Sequence, residues 1–143
     1  MSSVVLTVRC REHAWTSALD RRDILTALRA MLSALKKNGL PDPRRVEAHL
    51  VDDRTMRDVN RRFLSCDGPT NVLSFPGGGD MPGLILVSSG TLRRECLLYG
   101  QPARGYMLSL LAHGLAHLAG LGHGTDMSRM CEACVEAAEN ALP

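Results

Sequence analysis

Residues 103–119 place leucine at positions 108, 111, 115 and 118, intervals of three, four and three that only a helix keeps on one face. A stripe of that kind needs an apolar partner, and four strand-like runs are candidates to supply it. Residues 4–8 alternate apolar and polar as a half-buried strand does, and residues 45–51 read as a second strand. Residues 72–75 form a short extended run stopped by Pro76 and three glycines, and residues 84–87 are a continuous apolar run of the buried-strand type. Between these lie other helical patterns. Asp20 is placed to cap a helix carrying Ile24, Leu25, Leu28, Met31, Leu32 and Leu35 on one side, ended by Asn38-Gly39 with Pro41 and Pro43 beyond. Asp52-Asp53 can open a helix reaching about residue 63, and two more are expected near 91–98 and 128–142. Interleaved helices and strands, without a repeat or a long linker, predict a single compact α/β (α+β) domain over residues 1–143. Its small mixed sheet of about four strands would be covered by about five helices.

Composition narrows the function. At 45% hydrophobic the chain can bury a real core, but at 3% aromatic it is a poor candidate for a sheet that stacks RNA bases on exposed rings. The net charge of +2 is unevenly spread. Residues 21–62 hold eleven Lys/Arg against six Asp/Glu, and residues 63–143 hold four against seven. A basic half suits phosphates, although a solvated helix face reads the same way. No stretch approaches the roughly 20 apolar residues of a membrane span. The opening MSSVVLTVRC lacks the features of a signal peptide, and five irregularly spaced cysteines do not form a secreted disulfide framework. The expectation is a cytoplasmic protein with no membrane partner.

The chemistry concentrates in His113-Gly114-Leu115-Ala116-His117-Leu118-Ala119-Gly120-Leu121-Gly122-His123. Residues four apart on a helix lie nearly above one another, so His113 and His117 can grip one ion from a face expected to point away from the leucine stripe. Gly120 stands where a helix can end in a left-handed turn, which would bring His123 back toward the other two. Three neutral imidazoles make a zinc site with its fourth position open to water, one ion per chain; nickel or copper suits a similar cage. A zinc peptidase carries Glu directly after the first His as its base, and here that position is Gly114. Other candidates are weaker. Cys131-Glu132-Ala133-Cys134 lacks a second pair and reads as small buried residues on a helix, Asp126 reads as a helix cap, and His13 and His49 have no partner at ligand spacing.

These residues carry a family likeness. The chain resembles the YbeY endoribonucleases in the histidine motif, and again in Pro69-Thr70-Asn71-Val72-Leu73-Ser74-Phe75-Pro76, over roughly residues 44–140. The resemblance implies one α/β domain, one zinc on His113, His117 and His123, and cleavage of single-stranded RNA. It also implies a role in 16S rRNA maturation and ribosome quality control, with ribosomal RNA, the small subunit and its assembly proteins as partners and no DNA. Three positions depart from the family pattern. Phe63-Leu64 replaces a Tyr-Arg pair, Leu84 replaces an Asp, and Gly122 replaces another Asp. With the guanidinium absent at 64, Arg61 or Arg62 becomes the candidate cation to stabilise charge on the phosphate, and residues 70–76, Ser74 among them, the candidate cleft wall. A second reading is a catalytically weak, zinc-stabilised module that escorts ribosomal subunits. A zinc peptidase is the third, and Gly114 weighs against it.

Overall fold

Asp20 opens the first helix with a reciprocal cap: its side chain accepts from the Asp23 amide at 2.8 Å, and Asp23 accepts from the Asp20 amide at 3.2 Å. That helix, α1 (Arg21–Lys37), ends at Asn38 and Gly39, and the φ of +80° at Gly39 is one that glycine adopts without a Cβ clash. The computed structural model describes residues 5–10, 19–41, 43, 45–64, 71–78, 80–122 and 124–143. The other elements are β1 (Val5–Cys10), β2 (Arg45–Val51), α2 (Asp53–Leu64), β3 (Val72–Phe75), β4 (Gly83–Ser88), α3 (Ser89–Tyr99), α4 (Ala103–Leu118) and α5 (Thr125–Ala141). The strands form one mixed sheet in the order β1-β2-β4-β3, with β3 antiparallel to β4 at one edge and the other pairs parallel. This is the small α/β sheet that the interleaved pattern predicts, with four strands and five helices among the described residues.

Alternation along the strands sorts their side chains between two faces. Val8, Val46, Ala48, Leu50, Ile85 and Val87 point to one face, where α1, α4 and α5 bury Leu28, Met31, Leu108, Leu111, Leu115 and Cys134 against them. Val51 and Leu86 point to the other face, where α2 lays Met56 and Val59 over them. Burying a leucine or methionine in such a layer contributes about 1.5–3 kcal/mol, so the first face holds most of the stability.

Several boundaries differ from expectation for identifiable reasons. Helix α3 starts two residues early because Ser88, the last residue of β4, accepts from the Thr91 amide as its cap. Helix α5 starts at Thr125, so Asp126 lies inside its first turn rather than capping it; Gly124 is the cap, and Asp126 pairs with Arg129 at 3.3 Å. A carboxylate there still favours the positive end of the helix. Helix α4 shows more than a leucine stripe. Met107, Leu110, Ala112, Gly114 and Ala116 are buried too, because α4 lies between the sheet and helices α1, α3 and α5.

Asp53, in the first turn of α2, ties that helix to the β4–α3 junction. Its carboxylate accepts from Ser88 at 2.6 Å, Thr91 at 2.8 Å and Arg94 at 2.6 Å. The Arg94 guanidinium, aided by the two hydroxyls, holds it well below the usual carboxylate range. Because the folded value is depressed, the stability this network contributes is complete above the unfolded value near ~4 and declines from there, to be lost as pH falls through the folded value. Asp53→Asn is expected to cost about 1–2 kcal/mol at pH 7 and to flatten the decline in urea midpoint between pH 4 and pH 2.5. An acid decline as steep as that of the wild type would assign it to other groups.

Candidate metal centre

The helical spacing of His113 and His117 brings their rings edge to face, with centroids 4.6 Å apart at 83°, and sets the two Nε2 atoms 3.0 Å from each other. Both rings are half-buried on α4 and open into a cavity of about 430 Å³ walled by Val72, Leu73, Ser74 and Pro76. Residues 71–76 of the Pro69–Pro76 block, apart from Asn71 and Phe75, therefore supply the cleft wall expected of them; Pro69 and Thr70 lie outside the described residues.

The turn after α4 does two things at once. Gly120 takes φ +95°, the Gly120 amide donates to the His117 carbonyl at 3.0 Å, and the Leu121 amide donates to the Ala116 carbonyl at 3.1 Å. This is the double bond pattern of a Schellman motif, and it places glycine at the left-handed position the sequence predicts. The same turn aims the Leu121 carbonyl at the ring of His117, whose Nδ1 lies 3.0 Å away. A carbonyl only accepts, so Nδ1 carries the proton and, in the neutral ring, Nε2 is left as a lone pair facing His113. Fixing the far nitrogen through the near one is how proteins prepare imidazole ligands. Sequence reasoning missed Leu121, since its contribution is main-chain.

The pair fits a cation of zinc size. Nitrogens at about 2.0–2.1 Å from a tetrahedral zinc lie roughly 3.4 Å from one another, within a few tenths of an ångström of the distance observed. Among the described residues no set of three His, Cys, Asp or Glu converges on one point; His123, like His13, lies outside them.

Gly114, between the two histidines, has a structural reason to be glycine. A Cβ built on it would lie 2.8 Å from Cγ2 of Ile85 and 3.2 Å from Oγ of Ser74. Helix α4 thus rests directly on β4 and β3, and Ser74 donates to the Gly114 carbonyl at 3.2 Å. Ser74 is a fastener between the cleft wall and the histidine helix.

The model of the family described as Endoribonuclease YbeY matches residues 9–139. The chain belongs to the YbeY family. It is 39% identical to the Endoribonuclease YbeY of Oleidesulfovibrio alaskensis, over 94% of this chain and 92% of that one. To the Endoribonuclease YbeY of Lawsonia intracellularis it is 41% identical, over 84% and 86%. Its fold is similar to the solution structure of TM1509 from Thermotoga maritima, with a TM-score of 0.66 and 22% identity, covering 95% of this chain and 90% of that one.

The other sequence candidates separate within the YbeY fold. Arg61 and Arg62 sit exposed in the last turn of α2, on the face of the sheet opposite α4, and neither lines the His113–His117 cavity. His49 is half-buried on that second face, bonded to Glu47 at 3.0 Å. Cys134 is buried against α1, near the Met31 carbonyl, and burial pushes its thiol up to about 12; that of Cys131 is also raised by burial. Cys134 belongs to the buried core and Cys131 packs against it, so the Cys131/Cys134 pair serves packing. Among the described residues no helix is long and apolar enough to cross a membrane.

Proposed function

We propose that this chain is a zinc-dependent endoribonuclease that cleaves single-stranded RNA in the maturation of 16S rRNA and the quality control of ribosomes. Membership of the YbeY family supports an endoribonuclease in rRNA processing. The observation that carries the zinc dependence is the pair of facing Nε2 atoms, with the other ring nitrogen of His117 held on the Leu121 carbonyl. His113 and His117 would hold the metal, with His123 as the third ligand. Bound zinc supplies Lewis acidity toward a phosphoryl oxygen and lowers the pKa of its water toward ~7.

The chain's own residues do the rest. His117 keeps its lone pair in place through Leu121, and Ser74 keeps β3 seated against α4 so that the cleft wall and the histidines move as one body. Arg61 and Arg62, on α2, would hold substrate phosphates as the RNA passes round the edge strand β3. Their paired replacement by alanine is expected to weaken RNA binding and its salt dependence more than the rate at saturation. The reading places the protein in the cytoplasm, with ribosomal RNA, the small subunit and its assembly factors as partners. Leu64→Arg separates it from an escorting module: in a weak enzyme the added guanidinium raises cleavage, and in a competent one it changes little.

The direct test is metal analysis of the purified protein beside cleavage of a single-stranded rRNA fragment. About one zinc per chain and cleavage that stops on chelation and returns with zinc are expected. Metal-loaded protein that leaves the fragment intact would end the proposal. Gly120→Ala tests the turn: a Cβ at φ +95° costs about 1–2 kcal/mol and shifts Leu121, so zinc affinity should fall roughly 10- to 100-fold. Unchanged affinity would detach the turn from the site.

A further inference from the structure

The second face of the sheet carries a groove that the proposed chemistry does not use. It holds about 370 Å³ between the sheet and α2, at the small end of ligand clefts, and its lining is almost entirely apolar. Leu84, Leu86 and Phe75 form the floor, and Thr55, Val59 and Phe63 of α2 form the wall. The chain contains only two phenylalanines, and both are here, edge to face with centroids 5.8 Å apart at 66°. Phe63 is nevertheless 68% exposed, so one aromatic ring of the pair stands largely uncovered in a protein with almost no others.

We propose that this groove takes one base of single-stranded RNA, stacked on Phe63, as a subsite beside the cleavage centre; the proposal rests on the ribonuclease reading above. Three observations choose a nucleotide over another apolar occupant. First, the groove and the histidine cavity share a wall. Phe75 floors the groove, while its neighbours Ser74 and Pro76 line the cavity. Because β3 is an edge strand, a single strand of RNA can fold round it and reach both sites. Second, a cation stands at the rim. Arg62 is exposed and lies on α2 one turn from Val59 and two from Thr55, whereas Arg54, Arg57 and Arg61 of the same helix are turned away from the groove. Phosphates flanking a stacked base would meet this charge. Third, the groove offers a little polarity where a base has edges: His49 of the sheet, bonded to Glu47, and the hydroxyl of Thr55 on the wall. Base-on-ring stacking with backbone cations is the common physics of single-strand binding, and the scarcity of rings elsewhere does not weaken it when both lie in one groove.

The two phenylalanines also give a clean probe. In protein labelled with 4-fluorophenylalanine, the two fluorine resonances are assigned by Phe63→Leu. A single-stranded adenylate hexamer should then shift the Phe63 signal most, while an abasic hexamer of equal length leaves it in place. Phe63→Leu should weaken hexamer binding roughly 5- to 100-fold, and Phe63→Tyr should restore it. The exposure of Phe63 keeps both variants folded, which a thermal melt checks. Equal affinity of Phe63→Leu and wild type overturns the proposal. So do equal shifts with the abasic strand, or shifts that follow protein concentration without RNA, which would make the occupant a second copy. If the wild type cleaves RNA but Phe63 is silent, only the subsite falls. If the wild type neither binds nor cleaves RNA, the ribonuclease reading falls with it.

Discussion

His117→Ala is expected to empty the metal centre and stop RNA cleavage. Zinc content should drop from about one per chain to near zero, and the cleavage rate should fall by about 100-fold or more. The magnitude follows from the ring's double duty. It presents one nitrogen to His113 at 3.0 Å and the other to the Leu121 carbonyl, so its loss would remove a proposed ligand together with the bond that ties it to the turn after α4. The fold should persist, because the ring lies half-exposed on the cavity wall and not in the leucine core. Cys131→Ser is the matched control. Its thiol lies outside the histidine cavity and is held protonated by burial, so this variant should keep its full metal complement. Metal content in His117→Ala equal to that of the wild type would refute the site, whatever the activity.

Gly114→Glu is expected to unfold the protein rather than convert it to a peptidase. The substitution writes the His-Glu-x-x-His pattern of zinc peptidases into the sequence, with the spacing already correct. The structure predicts failure on two counts. The first side-chain carbon would meet Ile85 at 2.8 Å, and the carboxylate would be pressed between α4 and the sheet instead of facing the cavity. Overpacking costs about 1–3 kcal/mol, and an unpaired buried charge adds roughly 3–5 kcal/mol, together a large part of a small domain's stability. Thermal melts should show the variant largely unfolded at 37 °C, and generic peptide hydrolysis should be absent. A folded variant with peptidase turnover would show that Gly114 faces the metal. Gly114→Ala, with the steric term alone, should fall between this variant and the wild type.

The parts of the molecule legible in the sequence are those fixed by local chemistry. Asp20 with Asp23, Asn38-Gly39 and the Gly120 turn are short-range devices whose residues announce them. The histidine pair was legible because a helix converts spacing into proximity. What could not be read depends on packing at long range. The leucines of α4 gave one stripe, yet the helix is enclosed on most sides because three helices and the sheet meet there. Gly114 looked like a missing base, and only its contact with Ile85 shows why nothing larger fits. Ser88 closes a strand and opens a helix in one residue, so a pattern scan that separates the two misses the cap. The meeting of Phe63 and Phe75 is set by how α2 crosses the sheet, which composition cannot convey.

The carbonyl of Leu121 belongs to the main chain, and this shapes how the protein can vary. Any side chain at 121 other than proline, which lacks the N–H the turn uses, brings the same oxygen to the imidazole, so a mutational scan through that position would register near-silence beside a histidine that tolerates nothing. Drift there is free. The neighbouring glycine, which sets the direction of that oxygen, bears the whole constraint. A survey of tolerated substitutions would therefore locate the control of this histidine one residue away from the atom that exerts it.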